Sequence, residues 1–142
     1  MNKPHHLIFL VDDDYDDLDL MKYIFASYGL SQQTALFSSG MALFEQLGQL
    51  GEEQMPSLIV LDYNMPGMNG REVLKKLKSS KSFCHIPVVI YSTTCSPAME
   101  NEVTALGALQ CVQKATAIND IKKQISTFIA IAQGKQQLKA RP

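Results

Sequence analysis

The residues of this chain that could bind a metal ion or a phosphoryl group directly follow four short apolar runs. Asp12 and Asp13 follow the first run, Asp62 the second, Ser92 the third and Lys114 the fourth. Mg²⁺ prefers oxygen ligands, usually one or two carboxylates completed by waters and phosphate oxygens. A carboxylate can also attack a phosphoryl donor, while a hydroxyl and an ammonium group bind the other phosphoryl oxygens. Brought together, these five side chains could accept a phosphoryl group with the help of a divalent cation.

The apolar runs indicate how these side chains could meet. Runs of this length that are rich in Val and Ile are typical of strands buried on both faces of a parallel sheet. The predicted strands cover residues 7–11, 34–37, 58–61, 88–91 and 109–113, and the predicted helices cover residues 18–28, 40–51, 70–79, 97–106 and 118–132. Strict alternation of strands and helices predicts an α/β fold with a doubly wound parallel sheet. The carboxyl ends of such strands share one edge, where ligands bind, so the five side chains should line one crevice.

Length and composition predict a single domain without a nucleic-acid or membrane partner. A chain of 142 residues with 46% hydrophobic residues fits one compact core. The net charge of −1 gives no support for binding to nucleic acid or to an anionic membrane surface. No apolar segment approaches the length of a membrane span and the start lacks a signal-peptide pattern, so we expect no membrane insertion and a cytoplasmic location. We expect a flexible N-terminus at residues 1–6, the domain at residues 7–132 and a polar C-terminal tail at residues 133–142.

The remaining polar residues have simpler interpretations. Asp14, Asp16, Asp17 and Asp19 favour helix capping or plain solvation, with Asp16 or Asp17 as the predicted cap of the first helix. The chain has three cysteines without the close spacing of a metal site, and we expect them to be reduced thiols. Taken singly, Lys114 and Ser92 would be read as surface residues, and only their joint placement at strand ends favours a site.

Four motifs together resemble the receiver domain of bacterial two-component response regulators. They are Val11-Asp12-Asp13, the segment at residues 61–70 that reads LDYNMPGMNG, Tyr91-Ser92-Thr93, and Gln113-Lys114. The resemblance covers about residues 6–132 and is carried most specifically by the segment that begins at Asp62. It implies a flavodoxin-like (βα)5 fold with strand order 2-1-3-4-5. The length implies a stand-alone receiver without an output domain.

The resemblance also implies a role for each site residue. Asp62 is expected to be the phosphoacceptor. Asp13 is expected to bind Mg²⁺ directly, Asp12 to bind it through water, and Asp62 and the backbone carbonyl of Asn64 to complete the metal site. Ser92 and Lys114 are expected to bind the phosphoryl group. The donor would be a histidine kinase or a phosphotransfer protein, and the output would be a contact with a downstream protein rather than a separate enzymatic activity.

Three positions depart from the family pattern. Ala115 follows the lysine where receivers usually have proline, often after a cis bond, and a non-proline cis bond costs about 3 kcal/mol. This favours a trans bond at Lys114–Ala115 without deciding it. Cys111 stands where the family often has an aromatic switch residue, so signalling by a ring flip is not expected. Thr93, which replaces a small residue, could narrow the access to Asp62.

Other classes of function fit the same fold less well. A phosphatase of the haloacid dehalogenase type needs a second acid two positions after the nucleophile, where this chain has Asn64. A flavodoxin-like cofactor binder needs a phosphate-binding loop after the first strand, where Asp12 and Asp13 would repel a phosphate. A receiver-like adaptor that is never phosphorylated remains a further alternative.

Overall fold

The computed structural model of the protein describes residues 7–134 and shows five strands alternating with five α-helices. The strands are β1 (Ile8–Val11), β2 (Thr34–Phe37), β3 (Leu58–Leu61), β4 (Val88–Ser92) and β5 (Gln110–Gln113). The helices are α1 (Tyr15–Ser27), α2 (Gly40–Leu47), α3 (Gly70–Ser79), α4 (Pro97–Ala105) and α5 (Ile118–Ala132). Short 3-10 helices at Ser31–Gln33 and Glu52–Gln54 precede β2 and β3.

The five strands form one parallel sheet in the order β2-β1-β3-β4-β5, which confirms the predicted flavodoxin-like topology. β1, β3 and β4 lie inside the sheet and are buried along their whole length. This burial explains why their sequences are continuous apolar runs rather than alternating ones. The order also places the ends of β1, β3 and β4 side by side, with β5 at one edge.

Apolar side chains on the two faces of the sheet form two separate cores. One core packs α2, α3 and α4 against one face, with Leu43, Leu74 and Val103 among its fully buried members. The other core packs α1 and α5 against the opposite face, with Phe25 and Phe128 fully or almost fully buried. Each of these helices therefore buries apolar side chains against the sheet.

Two predicted helix boundaries are wrong. α1 begins at Tyr15 and is capped by Asp14, whose carboxylate accepts from the backbone N–H groups of Asp16 and Asp17 at 2.9 and 3.3 Å. Asp14 is the last residue with extended backbone, which is the position from which a side chain can cap. α2 ends at Leu47 rather than near residue 51, because Gly48 follows and glycine is a poor helix former.

The predicted domain limits fall partly outside the described residues. Residues 1–6 and 135–142 are not described, so the flexible N-terminus and most of the polar tail stay predictions. α5 ends at Ala132, which is the predicted end of the domain. Across residues 7–134, no helix combines the length and the apolar character needed to cross a bilayer.

Candidate functional site

Three carboxylates meet at the edge of the sheet where β1 and β3 end. Each of Asp12, Asp13 and Asp62 offers an oxygen, and these atoms lie within 4.8 Å of one another. Asp12 and Asp62 are buried, while Asp13 is partly exposed. The fold therefore brings together the acidic residues that the sequence placed at two separate strand ends.

Lys114 carries the positive charge of this cluster. Its Nζ atom lies 2.7 Å from Asp12 Oδ2, 2.9 Å from Asp17 Oδ2 and 4.0 Å from Asp62 Oδ1. Burial alone would lower the pKa of Lys114, but the hydrogen bonds that it donates to Asp12 and Asp17 raise its pKa above the ordinary value. Lys114 is therefore a permanent cation that bridges the acidic cluster from β5.

Asp62 has an unusual titration for an aspartate. Burial and the neighbouring charge of Asp12 raise the pKa of Asp62 to about 7, although Lys114 acts in the opposite direction. The backbone N–H of Asn64 donates a long hydrogen bond of 3.4 Å to Asp62 Oδ1. One lysine does not compensate the crowded carboxylates, so a further cation would be favoured here. The donor set of oxygens alone fits a hard cation such as Mg²⁺.

Ser92 is the buried hydroxyl at the end of β4. The structure includes it in the strand, whereas the sequence placed it just beyond. Its side chain is fully buried, and its Oγ atom has no hydrogen-bond partner among the described residues. A buried hydroxyl without a partner is costly, which makes Ser92 a group that a bound ligand could satisfy.

The loop between β3 and α3 shapes the surroundings of Asp62. Gly67 has a φ of 75°, in the left-handed region that glycine favours. Gly70 begins α3 against the end of β3: a Cβ there would clash with the carbonyl of Asp62 and lie 2.6 Å from the Cα of Tyr63. The side chain of Asn64 is exposed, and Met65 is buried. Close packing of α3 against the end of β3 therefore requires a glycine at position 70. Gly70 belongs to the motif at residues 61–70, but it carries no chemical group that would mark it as a site residue.

Asp17 is the site residue that sequence reasoning missed. The sequence predicts a capping or solvated acid there, yet the Asp17 carboxylate accepts a hydrogen bond from Lys114, which lies 97 positions further along the chain. Asp17 is the third residue of α1, and the helix begins just after the strand edge. An acid in the first turn of such a helix can face the edge, which is the signal that could have found it.

The expectation of reduced cysteines is wrong for two of the three. Cys95 and Cys111 form a disulfide with a Cα–Cα distance of 6.0 Å, while Cys84 is exposed and unpaired. The bond joins the segment after β4 to β5. Their separation of 16 residues is too wide for a local motif, and the pairing of β4 with β5 together with the packing of α4 against β5 brings the sulfurs together. Cys111, which stands where the family often has an aromatic switch residue, is therefore bound covalently to Cys95.

Comparison with known proteins decides the family. The chain matches the model of the response regulator receiver domain over residues 8–126. The chain belongs to the response regulator receiver family. The receiver is 35% identical over 125 residues to the two-component response regulator ARR17 of Arabidopsis thaliana, which covers 82% of this chain and 80% of that protein. It is 31% identical over 96 residues to the response regulator Rcp1 of Synechocystis, which covers 66% of this chain and 65% of that protein.

Solved structures place the receiver among the same proteins. It superposes on the phosphorylated cyanobacterial phytochrome response regulator RcpA with a TM-score of 0.81 and 27% identity, covering 96% of this chain and all of that chain. It superposes on the Mn²⁺-bound form of Rcp1 with a TM-score of 0.78 and 26% identity, covering 95% of this chain and 99% of that chain. Receivers are signalling domains that bind Mg²⁺ in an acidic pocket and are phosphorylated by histidine kinases or phosphotransfer proteins.

Proposed function

We propose that this receiver accepts a phosphoryl group on Asp62 from a phosphohistidine donor, with Mg²⁺, and signals through a protein contact. The observation that carries the proposal is the buried hydroxyl of Ser92, which has no hydrogen-bond partner among the described residues and lies at the edge where Asp62 and Lys114 lie. A phosphoryl group on Asp62 would supply the oxygen acceptor that Ser92 lacks in this state and a further acceptor for Lys114. The roles of Asp12, Asp13 and Asn64 as metal-binding residues are part of the same proposal.

The chemistry requires only the groups at this edge. A carboxylate oxygen of Asp62 attacks the phosphorus, a P–O bond forms, and the P–N bond to the donor imidazole breaks, with its electron pair leaving on the imidazole. Mg²⁺, when bound, would neutralise negative charge on the carboxylates and the phosphoryl oxygens. Lys114, whose Nζ atom already lies 4.0 Å from Asp62 Oδ1, and the Ser92 hydroxyl then donate to phosphoryl oxygens.

Phosphoryl uptake from acetyl phosphate tests the proposal. With Mg²⁺, intact mass should show one acid-labile phosphoryl addition to the parent and none to Asp62→Asn. Asp19→Asn, which changes an exposed acid on α1, is the matched control and should label like the parent. A parent that stays unlabelled would support the unphosphorylated adaptor instead, and a label that persists in Asp62→Asn would refute the assignment of the phosphoacceptor.

Calorimetric titration with Mg²⁺ tests the metal site separately. Asp13→Ala should weaken Mg²⁺ binding strongly, since it removes the most exposed of the three carboxylates and the one expected to bind directly. Asp16→Ala, an exposed acid outside the cluster, should leave the affinity unchanged. Equal affinities of Asp13→Ala and the parent would contradict the assignment.

A cytoplasmic location belongs to the proposal as well. The Cys95–Cys111 disulfide makes location worth measuring, because stable disulfides are more common in oxidising compartments. Cell fractionation with thiol trapping would give both the compartment and the fraction of the disulfide that forms there. Recovery of the protein outside the cytoplasm would contradict this part of the proposal.

A further inference from the structure

The loop that carries Lys114 lacks two features that could hold its backbone, namely a proline after the lysine and a side-chain cap on the helix that follows. Its Lys114–Ala115 bond is trans, as are all peptide bonds among the described residues. The backbone N–H of Lys114 donates to the carbonyl of Ser92 at 2.7 Å, and beyond that point the chain leaves the sheet. Helix α5 then begins after Ala117 without a side-chain cap. Something other than proline or a cap must therefore hold the loop.

Gln124 supplies the missing contacts from the second turn of α5. Its Oε1 atom accepts from the backbone N–H of Ala115 at 3.1 Å, and its Nε2 donates to the carbonyl of Gln113 at 2.7 Å. These two bonds bracket Lys114 on both sides. The Tyr91 hydroxyl donates to the same Oε1 atom at 2.5 Å.

The chemistry of the carboxamide fits this position closely. Ala115 offers a donor and Gln113 offers an acceptor, and the carboxamide of Gln124 presents an acceptor and a donor for them in one plane. Tyr91 remains protonated and able to donate, because burial raises its pKa to about 12. The Tyr91 ring also lies under the Lys114 ammonium, 5.8 Å from Nζ to the ring centre. Gln124 therefore connects the loop, the ring beneath it and α5.

The loop has room to move if these bonds are lost. A cavity of about 30 Å³ lies behind Lys114 between α1 and α5, with Asp17, Tyr91 and Ala115 in its lining. Asp12 and Asp17 hold the tip of the lysine, but they do not fix the backbone from which the side chain extends. Precise placement of a group near a reacting centre can be worth about a hundredfold in rate per ångström.

We propose that Gln124 is a positioning residue that sets the place of Lys114 relative to the Asp62 carboxylate. This inference rests on the proposed function, in which Lys114 binds the phosphoryl group. Gln124 takes over the part that a proline after the lysine would have in fixing the loop. Among the described residues, its side chain makes no hydrogen bond to Asp62, Asp12 or Asp17, so we expect its effect to pass through the backbone on either side of Lys114.

Two substitutions separate positioning from simple packing. Gln124→Met keeps the length of the side chain and removes all three hydrogen bonds. Gln124→Glu keeps the acceptor for Ala115 and Tyr91 but loses the donor to Gln113, and it also serves if Gln124→Met fails to fold. The matched control is Gln46→Met in α2, because the side chain of Gln46 makes no hydrogen bond within residues 7–134 and lies on the opposite side of the sheet.

The measurements are phosphoryl uptake from acetyl phosphate at saturating Mg²⁺, the Mg²⁺ dissociation constant and unfolding in urea. We expect Gln124→Met to slow uptake by about tenfold with an unchanged Mg²⁺ affinity, Gln124→Glu to lie between it and the parent, and Gln46→Met to match the parent. A merely structural residue would change Mg²⁺ affinity and uptake together. Uptake at the parent rate in both Gln124 variants, or a parallel loss of Mg²⁺ affinity, would overturn the inference. A parent that takes up no phosphoryl group would instead overturn the proposed function.

Discussion

The loop that carries Lys114 and the segment after Ser92 leave the same edge of the sheet from neighbouring strands, yet they are held in different ways. Lys114 has both of its close carboxylate contacts already formed, and Gln124 brackets its backbone. Ser92 is buried, and its hydroxyl finds no hydrogen-bond partner within residues 7–134. Residues 93–96, which we call the switch segment, are mostly exposed and are joined to β5 through Cys95.

The difference separates two tasks at one site. The lysine side is assembled before any ligand arrives, which favours fast chemistry because little reorganisation is needed. The serine side has an unmet hydrogen bond that a phosphoryl group could satisfy, so its preferred arrangement can change with the state of Asp62. The four predictions below follow from this comparison.

Lys114→Met should have the largest effect on stability. It leaves Asp12 buried without its cation, and breaking a buried ion pair costs about 3–5 kcal/mol of unfolding free energy. Urea unfolding without Mg²⁺ measures this loss, and added Mg²⁺ should recover part of it by neutralising the carboxylates. Lys123→Met, an exposed lysine on α5, is the control and should change little. Equal losses in the two variants would mean that the lysine side is not preassembled.

Cys111→Ala should come next in size. Closing a loop of this length with a disulfide stabilises a fold by about 3 kcal/mol in the chain-entropy model, so the cost exceeds that of lost packing alone. Urea unfolding with and without a thiol reductant measures it, and reduction should bring the parent close to the variant. Cys84→Ala, the exposed free cysteine, is the control. If Cys111→Ala has the same unfolding free energy as the oxidised parent, the disulfide does not stabilise the attachment of the switch segment to β5.

The pH dependence of stability should reflect the raised pKa of the buried Asp62 carboxylate. The pKa of Asp62 in the folded protein, about 7, lies above the ordinary aspartate value of 3.8, so the folded protein binds more protons than the unfolded chain between these values. Stability from this group is present below the lower value and is lost as the pH rises through the upper one, with a slope of at most about 1.4 kcal/mol per pH unit. Urea unfolding of the metal-free protein across this range should show the decline, and Asp62→Asn should remove it. A profile shared by both proteins would contradict the assignment.

Ser92→Ala should have the smallest effect on stability and a clear effect on signalling. The hydroxyl has no partner to lose among the described residues, and its removal ends the cost of burying it, so the unfolding free energy should stay the same or rise by about 1 kcal/mol. Amide exchange of residues 93–106 with and without beryllofluoride, a phosphoryl mimic, should show a change in the parent that the variant lacks. Preservation of that change would show that the switch segment responds to Asp62 without the Ser92 hydroxyl.

The sequence determined the local elements and the chemistry at their ends. Hydrophobic periodicity depends on near neighbours, so it predicted all five strands and placed α5 at residues 118–132. The position of Asp62, Ser92 and Lys114 at strand ends then followed, since parallel strands end at one edge. Boundaries failed where one residue decides, as with the Asp14 cap and the end of α2 before Gly48.

Only the tertiary structure decided which distant residues are partners. Asp17 pairs with Lys114 across 97 positions, Cys95 with Cys111 across 16, and Gln124 reaches back to both neighbours of Lys114. Only Asp17 has a local signal, its place in the first turn of α1, and every one of these pairings depends on how the helices and strands pack rather than on residue type. The residue types at the strand ends specify which chemistry is possible, while the packing of α1, α4 and α5 fixes how the groups that perform it are held.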